Sequence, residues 1–150
     1  MKRFRFSLET VLDYKQQVLD ALRIEHAAIQ AEVRAQEERL RALEEQHMEL
    51  DTEFSQRKLE GIAILDAMKY EQYLRAAERA IEEAEAVLED LRRQEEAKRA
   101  EVVEAKKETS SIEKLREKKL DGYNKAVQKS EEAMIDELVS TKRVMEAQSA

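Results

Sequence analysis

The chain has 150 residues, no Pro, no Cys, no Trp and only two Gly; 41% of it is charged, with a formal net charge of −7. So few turn formers exclude a β-sandwich or an α/β enzyme. The missing cysteine excludes disulfide scaffolds and cysteine-ligated zinc, and the acidic balance argues against bulk binding to nucleic acid or anionic lipid.

With Ala set aside, about two residues in seven are large and apolar, the share of a coiled-coil seam rather than of a globular core. The opening Met1-Lys2-Arg3-Phe4-Arg5-Phe6 is basic but carries no apolar h-region, so it does not read as a signal peptide. No apolar run reaches the roughly 18 residues of a membrane span. These features predict a cytoplasmic protein.

The first predicted element is a helix over about 7–60, with Ser7 as its N-cap and Glu9 in the first turn against the helix dipole. Alternating steps of four and three visit Leu8, Leu12, Lys15, Leu19, Leu22, His26, Ile29, Val33, Gln36, Leu40, Leu43, His47, Leu50 and Phe54. That heptad seam is long enough to specify a coiled coil and to decide against disorder. Gly61 suits the left-handed residue that closes a helix, and Ile62 to Leu65 breaks the pattern. The turn is placed at about 61–66. Asp66 is read as the next N-cap, with Leu65 and Tyr70 spaced as a hydrophobic staple.

The second helix is expected over about 67–147. Its seam runs through Tyr70, Leu74, Ala77, Ile81, Ala84, Leu88, Leu91, Glu95, Lys98, Val102, Ala105, Thr109 and Ile112. Past Thr109-Ser110-Ser111 the phase slips, and the stripe continues as Leu115, Leu120, Tyr123, Val127, Met134, Leu138 and Met145. Such a slip marks local unwinding or a change of packing partner. Folding about the turn sets Phe54 against Tyr73 and Leu74, and Leu12 against Leu115. The first helix then runs out opposite about residue 120. The expected fold is all-α: a single domain over 1–150, two long helices in an antiparallel coiled-coil hairpin, with residues 121–147 as a C-terminal helical overhang. An overhang with one apolar stripe needs a partner to cover it.

Candidate chemistry is sparse. His26 and His47 lie three heptads apart, about 31 Å along one helix, so one chain cannot bring both to one ion; they read as seam histidines that tune register. The pairs Glu37-Glu38, Glu44-Glu45, Glu82-Glu83 and Glu131-Glu132 lack the desolvating cleft that acid–base catalysis requires, and read as solvated faces. Gly61 and Gly122 each stand alone, so no phosphate loop is present. The basic run Lys114 to Lys119, with Lys106-Lys107 upstream, is interleaved with acidic residues and reads as a solvated face or an acidic partner's docking site. No catalytic residue, metal or cofactor is expected. The few aromatics gather at the N-terminus (Phe4, Phe6, Tyr14), at the turn (Phe54, Tyr70, Tyr73) and at Tyr123 on the overhang, where a thin fold leaves some open to partners.

The opening Phe4-x-Phe6-x-Leu8-x-x-Val11-Leu12-Asp13-Tyr14-Lys15 resembles the start of the FliJ family, the small component of the bacterial flagellar type III export apparatus. Gly61-Ile62-Ala63 with Tyr70-Glu71-Gln72-Tyr73-Leu74 and Ala80-Ile81 resembles that family's hairpin region. Ile112-Glu113-Lys114-Leu115, Tyr123 and Met134-Ile135-Asp136-Glu137 resemble its ending. The likeness runs in order along nearly the whole chain.

The resemblance implies a non-enzymatic adaptor in flagellum biogenesis, and so in motility and chemotaxis. It implies a stalk-like coiled coil that engages the export ATPase FliI, promotes its activity, and links it to the gate protein FlhA and to substrate chaperones. Carried over by position, the ATPase-facing residues are Phe4, Phe6, Leu8, Leu12 and Tyr14 with Asp136, Glu137 and Leu138. The gate-facing residues are Leu43, Leu50, Tyr73, Ala77, Ala80 and Ala84. Gln46 and Leu50 stand where some relatives carry aromatics. The implied location is the cytoplasm, at the inner face of the membrane through the export apparatus, with the free protein a monomer that does not itself insert. Two other readings stay open: the equivalent stalk protein of a virulence type III secretion system, and a self-associating structural coiled coil.

Overall fold

The computed structural model describes residues 2–149. Two helices, α1 (Glu9–Glu60) and α2 (Ile64–Ser149), pack against each other as an antiparallel hairpin, and there are no strands among the described residues. The seam is the one the heptads specify. All fourteen seam positions from Leu8, at the cap of α1, to Phe54 and all thirteen α2 positions from Tyr70 to Ile112 are buried or half-buried, while most positions between them are exposed. The chain divides into two compact units: Asp20–Val103, and the residues up to Leu19 together with those from Glu104 onward.

In the Asp20–Val103 unit, Gly61 ends α1 with φ +98°, the left-handed conformation that costs an L side chain about 1–2 kcal/mol. Only residues 61–63 separate the helices. The Ala67 amide donates to the Ala63 carbonyl at 3.0 Å, so Ala63 holds the cap position, and Asp66 lies in the first turn rather than at the cap. The turn is therefore shorter than the sequence reading placed it, and the pairing shifts with it. His26 with Glu95 and Glu53 with Tyr70 straddle the turn centre near Ile62. Phe54 accordingly stacks on Tyr70, centroids 5.1 Å apart and planes 4° from parallel, not on Tyr73 and Leu74. The staple between Leu65 and Tyr70 does not form, because Leu65 is exposed on a helix that has already begun. Phe54, Ala84 and Leu88 are the most buried apolar residues of this unit.

In the other unit, the Glu9 amide bonds to the Phe6 carbonyl and the Leu12 amide to the Leu8 carbonyl. Leu8 thus stands at the cap and Ser7 one position outside it. Leu12, Leu19 and Thr109 (2% exposed) are the core here. The Thr109 hydroxyl donates to the Ala105 carbonyl at 2.8 Å and approaches the Lys15 carbonyl at 3.5 Å. α2 continues unbroken through 109–122, so the slip in phase is a change of packing partner and not an unwinding. Before α1 begins, the irregular Lys2–Phe6 segment packs on α2 instead, at Arg116 and Tyr123. Tyr123 and Val127 are half-buried, and every described residue from Gln128 onward is exposed. The uncovered part of α2 therefore starts near residue 128, not 121.

Candidate partner-binding surfaces

Four polar residues interrupt the α1 seam, and each meets a partner on α2. The Lys15 ammonium lies 2.7 Å from a Glu108 carboxylate oxygen, and the hydrogen bond and charge of that carboxylate raise the lysine pKa. His26 Nε2 lies 2.8 Å from Glu95, whose carboxyl also takes Arg99 at 2.7 Å; the His26 bond and then the Arg99 bond hold the Glu95 pKa below its usual value. Gln36 donates to the Ala84 carbonyl at 3.1 Å. His47 Nε2 is 3.5 Å from Glu78 and makes no hydrogen bond, although it is buried. On α2, Lys98 binds Glu101 and Glu25, which raise its pKa. These rungs fix register in the way that polar seam residues do, so both histidines have structural roles. Among the described residues no group of His, Cys, Asp and Glu is arranged to hold a metal ion.

Of the residues assigned to the export gate, Leu43, Leu50 and Ala77 are half-buried and Ala84 is buried within the seam, and Ala80 is half-buried beside it. Tyr73 alone stands out, 58% exposed. Around the turn the sequence reading missed a set of open apolar side chains: Leu59 (89% exposed), Ile64, Leu65 and Met68. The signal was present in the run Ile62 to Leu65, which leaves the seam because no opposing helix exists at a turn. The Phe54–Tyr70 stack next to them is capped by cations, Lys58 Nζ 3.8 Å above Phe54 and the Arg57 guanidinium 5.6 Å above Tyr70. The Tyr70 hydroxyl donates to Glu53; desolvation first, and this bond second, push its pKa up.

Of the residues assigned to the ATPase, Leu12 is buried in the seam, while Phe4, Phe6 and Leu8 are half-buried. The Phe4 ring tilts against Tyr123 with centroids 5.5 Å apart, and the Arg116 guanidinium lies 5.7 Å above it. Arg116 also donates to Glu9 at 2.9 Å, which takes it out of the basic run. The Tyr123 hydroxyl donates to the Lys2 carbonyl at 2.6 Å. Arg3, Phe4, Arg5, Phe6, Glu9 and Arg116 line a hollow of about 380 Å³. Tyr14, Asp136, Glu137 and Leu138 are open. Leu138 belongs to a wider exposed set with Met134, Ile135, Val139, Val144 and Met145, and at helical spacing Met134, Leu138 and Met145 share one face with Leu120, Tyr123 and Val127.

No helix among the described residues is long and apolar enough to cross a membrane. No curated protein and no solved structure matches the chain. The family described as flagellar FliJ protein matches residues 4–148, nearly the whole length and in agreement with the resemblance carried by the opening, hairpin and closing motifs. The chain belongs to the FliJ family, non-catalytic components of flagellar protein export.

Proposed function

We propose that this chain is a stalk-like export adaptor: its terminal unit engages the export ATPase and promotes its activity, and the Asp20–Val103 unit serves the export gate and the substrate chaperones. The observation that carries the reading is the last stretch of α2. From Gln128 to Ser149 every residue is exposed, yet Met134, Leu138 and Met145 keep an apolar face. A helix turn gains nothing in water from such a face; it is stabilised when a partner buries it, at roughly 25 cal/mol per Å². Asp136 and Glu137 are open on the same stretch, and Tyr14 is open on α1 in the same unit, all available to the ATPase, whereas Leu12 serves the fold. On the gate side, Tyr73 is the contact residue, and Leu43, Leu50, Ala77, Ala80 and Ala84 set the spacing of the helices beneath it.

The test is the triple change Met134→Ser, Leu138→Ser, Met145→Ser in the full chain, assayed by stimulation of the cognate ATPase. All three sites are outside the seam, so helicity by circular dichroism stays at the wild-type level while stimulation is lost. Full stimulation by the triple variant removes the stalk reading.

A further inference from the structure

The exposed face of α2 does not begin where it becomes visible. Leu120, Tyr123 and Val127 lie on the same face as Met134, Leu138 and Met145, but they are half-buried while the latter are open. Of these three, Tyr123 is touched by the segment ahead of α1. Its hold is light. It consists of the Phe4 ring on Tyr123 and under the Arg116 guanidinium, the half-buried Phe6, and one hydrogen bond from Tyr123 to the Lys2 carbonyl.

Charge works against that hold. Lys2, Arg3 and Arg5 are exposed and form no ion pair among the described residues. The stretch of α2 from 117 to 125 carries Lys118, Lys119 and Lys125 against Glu117 and Asp121, with Arg116 just before it already paired to Glu9. The segment and this stretch of α2 both carry net positive charge, and exposed like charges repel within a Debye length of about 10 Å at 0.1 M salt. Apolar contact seats the segment and electrostatics loosens it.

We propose that Lys2–Ser7 is a displaceable strap, and that Tyr123, which it covers, and Leu120 and Val127 on the same face are further partner-binding residues. The inference rests on the reading of α2 as the ATPase-engaging element. The partner that buries Met134, Leu138 and Met145 advances along the same face, displaces Phe4 and Phe6, and takes their place on Tyr123. The strap is then an autoinhibitory cover. This reverses the sign expected if Phe4 and Phe6 were themselves ATPase contacts.

The chain contains no Trp, so Phe4→Trp in the full-length protein supplies a single reporter on the strap. Without partner, raising salt from about 20 to 500 mM screens the repulsion, and acrylamide quenching of the reporter falls; quenching that rises with salt overturns the electrostatic account. With the cognate ATPase added, the reporter's emission shifts to the red and its quenching increases. In parallel, the full-length double variant Phe4→Ser, Phe6→Ser, with helicity checked by circular dichroism, binds the ATPase about tenfold more tightly than wild type. Binding that leaves the reporter buried, or a double variant that binds more weakly, overturns the strap while the ATPase reading stands. If neither wild type nor double variant associates with the ATPase, the underlying reading fails and the strap as its competitor fails with it.

Discussion

The two glycines have opposite relations to the fold. Gly61 sits at φ +98° with open space around its missing Cβ, so an added methyl meets no atom but still pays the left-handed backbone penalty. Gly61→Ala lowers unfolding stability by about 1 kcal/mol, read as a lower urea midpoint. Gly122 is an interior residue of α2, also with nothing near its Cβ position. There Gly→Ala restores helix propensity and raises stability by about 0.5–1 kcal/mol, read in the same titration as a higher midpoint. Glu95 sets a pH dependence. Its folded-state pKa is depressed by His26 and Arg99, so its contribution is fully present above its unfolded value of about 4.5 and is lost as pH falls through the lower folded value. Thermal unfolding of wild type and Glu95→Gln therefore differs most near neutral pH, and the gap closes progressively as pH falls below 4.5. A gap that stays constant down to acid contradicts the rung.

At the scale of elements, each helix owes its limits to local chemistry and its stability to the opposite helix. The heptads made both seams legible residue by residue, including their polar positions, because burial in a hairpin follows period and little else. What the sequence obscured was the region where no opposing helix exists. At the turn, Asp66 resembled a cap, but the positive φ of Gly61 reversed the chain within three residues and Ala63 became the cap. At the N-terminus, Phe4 and Phe6 lie outside any helical period, so no pattern announced that they would seat on α2 at Tyr123. Of the candidate contacts, Leu138 on the overhang was legible as open and Leu12 and Ala84 as seam residues, whereas Tyr73, expected against Phe54, proved exposed; a family motif does not separate residues that touch partners from residues that hold the helices together. Amide exchange should follow the same division. Protection is strong from Leu74 to Ile112, where the seam is covered, and falls sharply past Gln128, where α2 has no neighbour. Uniform protection to the C-terminus would mean that residues 128–149 are covered in solution.

Across the whole molecule the net charge of −7 is unevenly divided. The Asp20–Val103 unit has 13 Lys and Arg against 22 Asp and Glu, and the terminal unit has 14 against 12. Partners of the two units therefore meet different fields, a strongly acidic one and a nearly balanced one, and binding to the acidic unit weakens more steeply with added salt. The polar seam residues find their partners within the chain, Lys15 with Glu108, His26 with Glu95 and Gln36 with Ala84. A parallel two-chain coil would set each of them against its own copy instead. Sedimentation equilibrium at tens of micromolar is expected to return the single-chain mass of 17.5 kDa; a stable dimer would mean that these rungs do not decide pairing.

The same rungs constrain how the chain can change length. Lys15, His26, Gln36 and His47 each specify an opposite residue on α2, and all of those pairings hinge on one turn near Ile62. Seven residues removed from α1 between His47 and the turn keep every apolar position in phase and set Lys15 opposite Glu101 and His47 opposite Glu71, but they move His26 from Glu95 to Leu88 and strand it against hydrocarbon. Seven removed from both arms at matching heights leave the remaining pairs intact. The His26–Glu95 rung is therefore the pairing that ties the length of one arm of this hairpin to that of the other.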